Sequence, residues 1–166
     1  MKIGILSDTH GEVGRSIRAL ELLLARNCGA IIHCGDIGSE EVWLELATLC
    51  RAHKLPLHGV LGNVDAHEPE LREFTNGDGT ILWGPRAEFE LDGKRIAVLH
   101  GHEEARLIAA IQSGNFDYVL TGHTHQAEHY HEGPTHVINP GAVYRAHPPS
   151  VATLDLATDE LEYIHL

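Results

Sequence analysis

The chain opens Ile3-Gly4-Ile5-Leu6-Ser7-Asp8-Thr9-His10, an apolar run of strand length that ends on an acid and an imidazole. A short apolar stretch bounded by polar turn residues predicts a buried strand. A helix is predicted from about Glu12 to Arg26, with Ile17, Leu20, Leu23 and Leu24 on one face. Ala30–Cys34 reads as a second strand, closed by the Gly35-Asp36 turn. Ser39, a good helix N-cap, opens a second helix running to about Ala52, and Pro56–Leu61 gives a third strand. The β-α-β-α-β order predicts parallel strands joined by right-handed crossovers.

Residues 65–79 are polar, contain Asn76-Gly77-Asp78-Gly79, and read mostly as loop. Strands follow at Thr80–Trp83 and Arg86–Leu91, and Asp92-Gly93 turns the chain into Arg95–Leu99. Glu103–Gln112 reads as a third helix and Asp117–Thr121 as a strand. Beyond it the pattern is all β: Glu128–Glu132 and Thr135–Ile138 around Gly133-Pro134, then Val151–Leu156 and Leu161–His165 as a closing pair. We therefore expect an α/β fold of two mixed sheets, its first half β-α-β-α-β and its second mainly antiparallel with one helix. The 166 residues suit a single domain, 1–166, large enough to bury a core of its own.

The formal net charge is −12, which argues against a general binder of nucleic acid or of membrane surfaces, since both need a basic footprint. Two bound divalent cations would return about +4 where an anionic substrate needs it. The three cysteines, Cys28, Cys34 and Cys50, form no C-x-x-C pair and suit buried thiols in a reducing compartment. The opening apolar run is too short for a secretory signal, and no stretch approaches the ~18 apolar residues of a membrane span. A cytoplasmic protein is expected.

Histidine is over-represented, at 14 of 166 residues. Asp8-Thr9-His10 is the first of a series that continues with Gly35-Asp36, Gly62-Asn63-Val64-Asp65, His100-Gly101-His102 and Thr121-Gly122-His123-Thr124-His125. Each cluster follows an apolar run, the position at which functional loops of α/β sheets gather. Carboxylates, imidazoles and a side-chain carbonyl suit divalent cations such as Mn²⁺, Fe²⁺ and Zn²⁺. Singly, each cluster also suits an ordinary turn. Asp8 and His10 are two apart, as are His123 and His125, so each pair reaches to one side of an extended segment. Together the clusters point to a two-metal hydrolase site.

The order D-x-H, GD, GN, HG, GHTH over Asp8 to Gly141 resembles the calcineurin-like metallophosphoesterase superfamily. The D-T-H-G start, the GNxD variant, the HGH cluster and Asn139-Pro140-Gly141 make the chain similar to its small phosphodiesterases of the YfcE type. A retromer scaffold subunit of eukaryotes is similar to that subgroup.

The resemblance implies a four-layer α/β/β/α sandwich with one metal held by Asp8, His10, Asp36 and His125. A second would be held by Asp36, Asn63, His100 and His123, with Asp36 bridging the two. The working ion would be Mn²⁺, with Fe²⁺, Ni²⁺ or Zn²⁺ as alternatives, and a metal-bridging hydroxide would be the nucleophile. The implied activity is hydrolysis of small phosphodiesters, with Asp36, Asn63, Asp65 and His100 at the catalytic centre. Asp65 reads as a residue that orients the metal site.

Many superfamily members carry a histidine after the GN that helps protonate the leaving group, but Val64 stands there and has no proton to give. His67 and His102 are candidates to replace it, and Arg145 is the cation best placed to meet a phosphate, through its planar fork. Ala142 replaces a serine common in the subgroup. His33 reads as a hydrogen-bonded core residue and Cys34 as a buried thiol. His129 and His131 share one strand face, where a weak adventitious metal contact is conceivable. The expected partner is a small phosphorylated substrate, with no stable nucleic-acid or membrane binding. Self-association through exposed edge strands stays open. The competing readings are a phosphomonoesterase of nucleotides or sugar phosphates, and a non-catalytic scaffold of the retromer type. The complete ligand set favours an enzyme, because the scaffold relative departs from it at the position of His10.

Overall fold

The computed structural model describes residues 1–67, Leu71 and residues 79–166, with Ala66 and His67 by their backbone alone. Its elements, in chain order, are β1 Lys2–Leu6, α1 Val13–Leu24, β2 Ala30–His33, α2 Glu40–Ala52, β3 Leu57–Gly59, β4 Thr80–Leu82, β5 Arg86–Leu91, β6 Lys94–Leu99, α3 Glu104–Gln112, β7 Tyr118–Leu120, β8 Ala127–Glu132, β9 Thr135–Pro140, β10 Ser150–Asp155 and β11 Glu160–His165. A 3₁₀ turn covers Val64–His67. Of the loop expected over 65–79, residues 68–70 and 72–78 lie outside the described residues. No described helix is long and apolar enough to cross a membrane.

Two mixed sheets face each other. The first runs β11-β10-β1-β2-β3-β4 and the second β5-β6-β7-β9-β8. Three apolar clusters separate four layers. Leu20 and Leu23 of α1 and Trp43 and Leu46 of α2 pack with Leu6, Ile31 and Leu57 on the outer side of the first sheet. Ile3, Ile5 and Ile32 meet Ile96, Tyr118 and Ile138 between the sheets. Ala110 and Ile111 of α3 cover Ala97, Leu99 and Val119 on the outer side of the second. Strand segments buried on both faces read as apolar runs, as Ile3–Leu6 of β1, Ala30–Ile32 of β2 and all of β7 do.

The sheet partners, which the apolar runs leave open, are set by the fold. β4 joins the first sheet, parallel to β3, and the closing pair β10–β11 crosses to the same sheet, with β10 antiparallel to β1. In the second half of the chain β5–β6, β8–β9 and β10–β11 are antiparallel pairs, while β6–β7 and β7–β9 are parallel. An apolar run states that a strand is buried but not which edge it joins. The buried face of α1 is Ser16, Ala19, Leu20 and Leu23, one position out of phase with the expected stripe, and Ile17 and Leu24 are half-buried. Ser16 tolerates burial because its hydroxyl donates to the Glu12 carbonyl at 2.7 Å.

Local signals fared better. The Ser39 hydroxyl accepts from the Val42 N–H at 3.3 Å and caps α2. Asp92 and Gly93 both have positive φ, 52° and 75°, as an Asp-Gly hairpin turn of type I′ needs.

His33 is fully buried at the end of β2. The Gly35 N–H donates to its Nδ1 at 3.2 Å, so the proton of the neutral ring lies on Nε2, which meets the Thr9 hydroxyl at 2.9 Å. Thr9 passes its own proton to the Ile37 carbonyl at 3.0 Å. Burial, with the nearby His100 next, lowers the His33 pKa to about 3. The unfolded chain therefore binds a proton at His33 that the folded chain refuses, and the stability this contributes is complete above pH ~6.5 and lost as pH falls below it. In chelator-treated protein, urea unfolding of the wild type should lose about 2 kcal/mol more between pH 8 and pH 5 than that of His33→Leu. The variant should be weaker at pH 8 by about 1–3 kcal/mol, because the Gly35 N–H loses its acceptor. Equal pH slopes would show that His33 is not held neutral.

Candidate metal centre

The carboxyl ends of β1, β2, β6 and β7 meet at one rim of the sandwich, and their loops are stitched together through the backbone. The Asp8 N–H donates to the Gly35 carbonyl, that of His10 to Asp36, and that of Gly11 to Ile37, all at 2.9–3.0 Å. The Gly122 N–H reaches the His100 carbonyl at 2.9 Å, and those of Val143 and Tyr144 reach the carbonyls of Ser7 and Asp8. Asn139 shapes the histidine loop from beneath, its amide donating to the Gly122 carbonyl at 2.8 Å and to the Thr124 hydroxyl at 3.0 Å.

Two carboxylates lie at the centre. Asp8 is fully buried, and its Oδ2 accepts the His123 N–H at 3.2 Å. Its Oδ1 has no hydrogen-bond donor and stands 3.1 Å from His125 Nε2, 3.7 Å from His10 Nε2 and 3.9 Å from His100 Nε2. Asp36 gives Oδ1 to the Val64 N–H at 3.0 Å, while its Oδ2 faces His100 Nε2 at 3.2 Å and His10 Nε2 at 3.9 Å. His10 and His125 present Nε2 to each other at 3.2 Å. Metal–ligand bonds of about 2.0–2.2 Å set ligand atoms of one cation roughly this far apart.

The imidazoles are aimed by their other nitrogen. His100 Nδ1 donates to the Cys34 carbonyl at 2.9 Å, leaving the buried Nε2 directed at the carboxylates. His125 Nδ1 has a longer contact, 3.4 Å, with the Arg145 carbonyl. Such outer bonds fix the tautomer of a metal-binding histidine. Burial lowers the pKa of His10 against the raising pull of Asp36 and Asp8, and burial followed by the His100 charge lowers that of His123. Burial also acts to lower the His100 pKa, but the Asp36 carboxylate, 3.2 Å from its Nε2, and the Asp8 charge outweigh it. Asp36 is the complement: burial opposes its ionisation, yet His100, the Val64 N–H and His10 hold its carboxyl below the usual range. An anionic carboxylate facing imidazole lone pairs is a donor set that a divalent cation completes.

Two groups of potential ligand atoms close to within 4.8 Å: Asp8, His10 and His125, and Asp8, Asp36 and His100. Asp8 belongs to both groups and Asp36 to one, although Asp36 Oδ2 also stands 3.9 Å from His10 Nε2. His123 joins neither group; it is exposed, with its ring centroid 5.1 Å from that of His100. Asn63 is exposed, next to the Val64 that donates to Asp36. Asp65 is fully buried and spends both oxygens on backbone N–H groups, those of Ile37, Gly38 and Gly62 at 3.1, 2.8 and 2.7 Å. It ties the Asp36 loop to the Asn63 loop.

At the rim, His102 is exposed, 5.6 Å from His100 and 6.2 Å from His123 between ring centroids. The side chain of His67 lies outside the described residues. Arg145 is exposed, and its charge acts on His10. Cys34 is buried, and burial, then the Asp8 charge, raises its pKa far above the thiol range, so it is no nucleophile. Tyr144 and Arg15 escaped the sequence reading. The Tyr144 ring lies 6.4 Å from that of His10, with Arg15 and Arg145 at 5.6 and 5.5 Å from its centroid. No local signal marks this trio, because α1 and the segment after β9 meet only in the fold.

The calcineurin-like phosphoesterase superfamily domain matches residues 1–159. A phosphodiesterase of Methanocaldococcus jannaschii is 33% identical over 167 residues, covering 98% of this chain and 96% of that protein. Among solved structures, a novel archaeal phosphodiesterase superposes with a TM-score of 0.88 at 31% identity over the whole of both chains. YfcE, a phosphoesterase from E. coli, superposes with a TM-score of 0.69 at 22% identity over 99% of this chain and 98% of that one, a likeness of fold.

Gly62 lies so close to Asp36 that a Cβ there would overlap its Oδ1 and backbone N and stand 2.8 Å from its Cγ. Gly62→Ala should displace that carboxylate. The expected result is phosphodiesterase activity down by about 100-fold, the scale of a misplaced catalytic group, with far-ultraviolet circular dichroism close to wild type. Undiminished turnover would show that the position of Asp36 does not matter.

Proposed function

Because the chain belongs to the calcineurin-like phosphoesterase superfamily, we propose that it is a dinuclear-metal phosphodiesterase of small phosphodiesters. The observation that carries this reading is the pair of buried orphan atoms, Asp8 Oδ1 and His100 Nε2, which lack any hydrogen-bond partner while sitting among carboxylates and imidazoles. A buried polar atom left unpaired costs about 1–3 kcal/mol, and a cation satisfies both. Asp8, His10, Asp36 and His125 would hold one ion, and Asp36, Asn63, His100 and His123 the other, with Asp8 Oδ1 near both. When bound, such ions polarise phosphoryl oxygens and lower the pKa of a water so that it attacks at neutral pH. Mn²⁺ suits this mixed oxygen and nitrogen set, with Fe²⁺, Ni²⁺ or Zn²⁺ as alternatives.

The side chains then have distinct tasks. Asp36 stays anionic and central. His100 is kept on target by the Cys34 carbonyl, and Asp65 locks the loops that carry Asp36 and Asn63. Arg145 at the rim offers a cation to a phosphate, in a chain whose net charge of −12 otherwise repels anions. Val64 supplies no proton, which leaves His102 at the rim as the candidate donor and favours substrates with good leaving groups. The complete donor set weighs against a metal-free scaffold. Phosphomonoester hydrolysis is the alternative activity.

The deciding assay is hydrolysis of bis-p-nitrophenyl phosphate against p-nitrophenyl phosphate by chelator-stripped protein, with and without Mn²⁺. Diester cleavage that requires Mn²⁺ and is abolished in Asp36→Asn is expected. Faster monoester cleavage would favour the alternative, and no turnover of either ester by protein holding two equivalents of metal would favour the scaffold. Val64→His should accelerate poor leaving groups more than good ones by supplying an acid, by up to the roughly 10²–10⁴-fold that general acids contribute. A flat response across a leaving-group series would mean that protonation does not limit the rate.

A further inference from the structure

A second cluster of imidazoles stands away from the centre, on the β8–β9 hairpin. His131 pairs with His136 across the antiparallel ladder, and His129 pairs with Ile138, so all three side chains share one face. That face looks toward the first sheet, because His136 lies beside Tyr118 in the parallel β7–β9 ladder and Tyr118 and Ile138 belong to the core between the sheets. The three rings therefore continue the inter-sheet layer past the end of its apolar core. They replace the aliphatic residues found further in.

The rings converge. Their centroids are 4.1 Å apart for His131 and His136, 5.1 Å for His129 and His131, and 5.4 Å for His129 and His136. One nitrogen from each closes to within 4.8 Å of the others. His129 Nε2 and His136 Nδ1 are 3.3 Å apart. Two imidazole nitrogens bound to one tetrahedral ion at about 2.0–2.1 Å would stand about 3.3 Å apart. Burial, with His131 nearby, lowers the pKa of both His129 and His136, which favours the neutral rings that a metal needs. A carboxylate backs the cluster: Asp159, in the turn between β10 and β11, accepts the Tyr118 hydroxyl, and its charge acts on His136.

We propose that His129, His131 and His136 form a metal site for a borderline transition ion of the Zn²⁺ class, separate from the phosphodiesterase centre. Two imidazoles on the edge strand β8 and one on its neighbour β9 leave a fourth position of a tetrahedral ion open, for water or for a side chain of another molecule. Imidazole without carboxylate selects Zn²⁺, Ni²⁺ or Cu²⁺ over Mn²⁺ or Mg²⁺. The two sites therefore differ in preference: the first mixes carboxylates with imidazoles, and the hairpin offers nitrogen alone. A bare hydrogen bond between His129 and His136 is the competing explanation of their 3.3 Å contact, and it needs neither His131 nor an ion.

Zinc titration of chelator-stripped protein by calorimetry tests the proposal, with Co²⁺ absorption as a readout of tetrahedral nitrogen ligation. The wild type should bind one more equivalent of Zn²⁺ than His129→Gln/His136→Gln. His131→Gln alone should weaken that equivalent by more than the roughly 10–100-fold that losing an outer partner of a ligand costs. Both variants should keep wild-type Mn²⁺-dependent diester hydrolysis. The extra equivalent should persist in Asp36→Asn, so the site can be scored even where the first centre, or its assigned activity, fails. Equal zinc stoichiometry in wild type and double variant would overturn the proposal, as would an extra equivalent indifferent to His131→Gln or one of millimolar affinity, which marks adventitious binding only.

Discussion

Two carboxylates buried side by side, Asp8 and Asp36, are the constraint around which this rim of the molecule is built. Like charges withdrawn from water repel and are expensive unless hydrogen bonds or cations compensate them. The protein compensates each on one oxygen only: the His123 N–H holds one oxygen of Asp8, and the Val64 N–H one of Asp36. The remaining oxygens face His10, His100 and His125. The folded chain thus concentrates negative charge and lone pairs in one place, a donor chemistry that suits divalent cations.

Holding that arrangement imposes an unusual backbone. Asp8, His10, Asp36, His123 and His125 all have positive φ, between 47° and 69°. For residues with a Cβ this conformation costs about 1 kcal/mol or more each and persists only where the surroundings enforce it. The enforcement is visible in the cross-loop backbone bonds, in Asp65 gripping three N–H groups from two loops, and in Asn139 under the histidine loop. It is visible too where a side chain has no room: a Cβ on Gly122 would overlap the Ser7 hydroxyl and approach Asp8 Oδ2 to 2.8 Å. Strain at the loops that carry these side chains is offset by the apolar layers behind them.

Much of this was legible along the chain. The strands and helices could be placed because their apolar runs and caps are local, and the donors could be picked out because Asp, Asn and His recur where those runs stop. The phase of α1 was misjudged because Ser16 hides a polar atom in a helix-internal bond, so the buried face does not look apolar. The closing pair β10–β11 was legible, but its place beside β1, and that of β4 beside β3, were not, because a buried strand carries no address for its neighbour. Tyr144 beside His10, with Arg15 and Arg145 around it, was invisible because residues 15 and 144 meet only across the sandwich.

By itself, then, the sequence determined the element order, the α/β class and the set of candidate ligands, all properties of residue type and short-range spacing. Tertiary structure alone decided that Asp8 faces three imidazoles and Asp36 two, that Asp65 ties two loops through their backbone N–H groups, and that His136 faces His129 and His131 from the next strand. Those outcomes depend on register and on distances across the fold. Side chains far apart in the chain become neighbours only when burial of the three apolar layers brings the strand ends together.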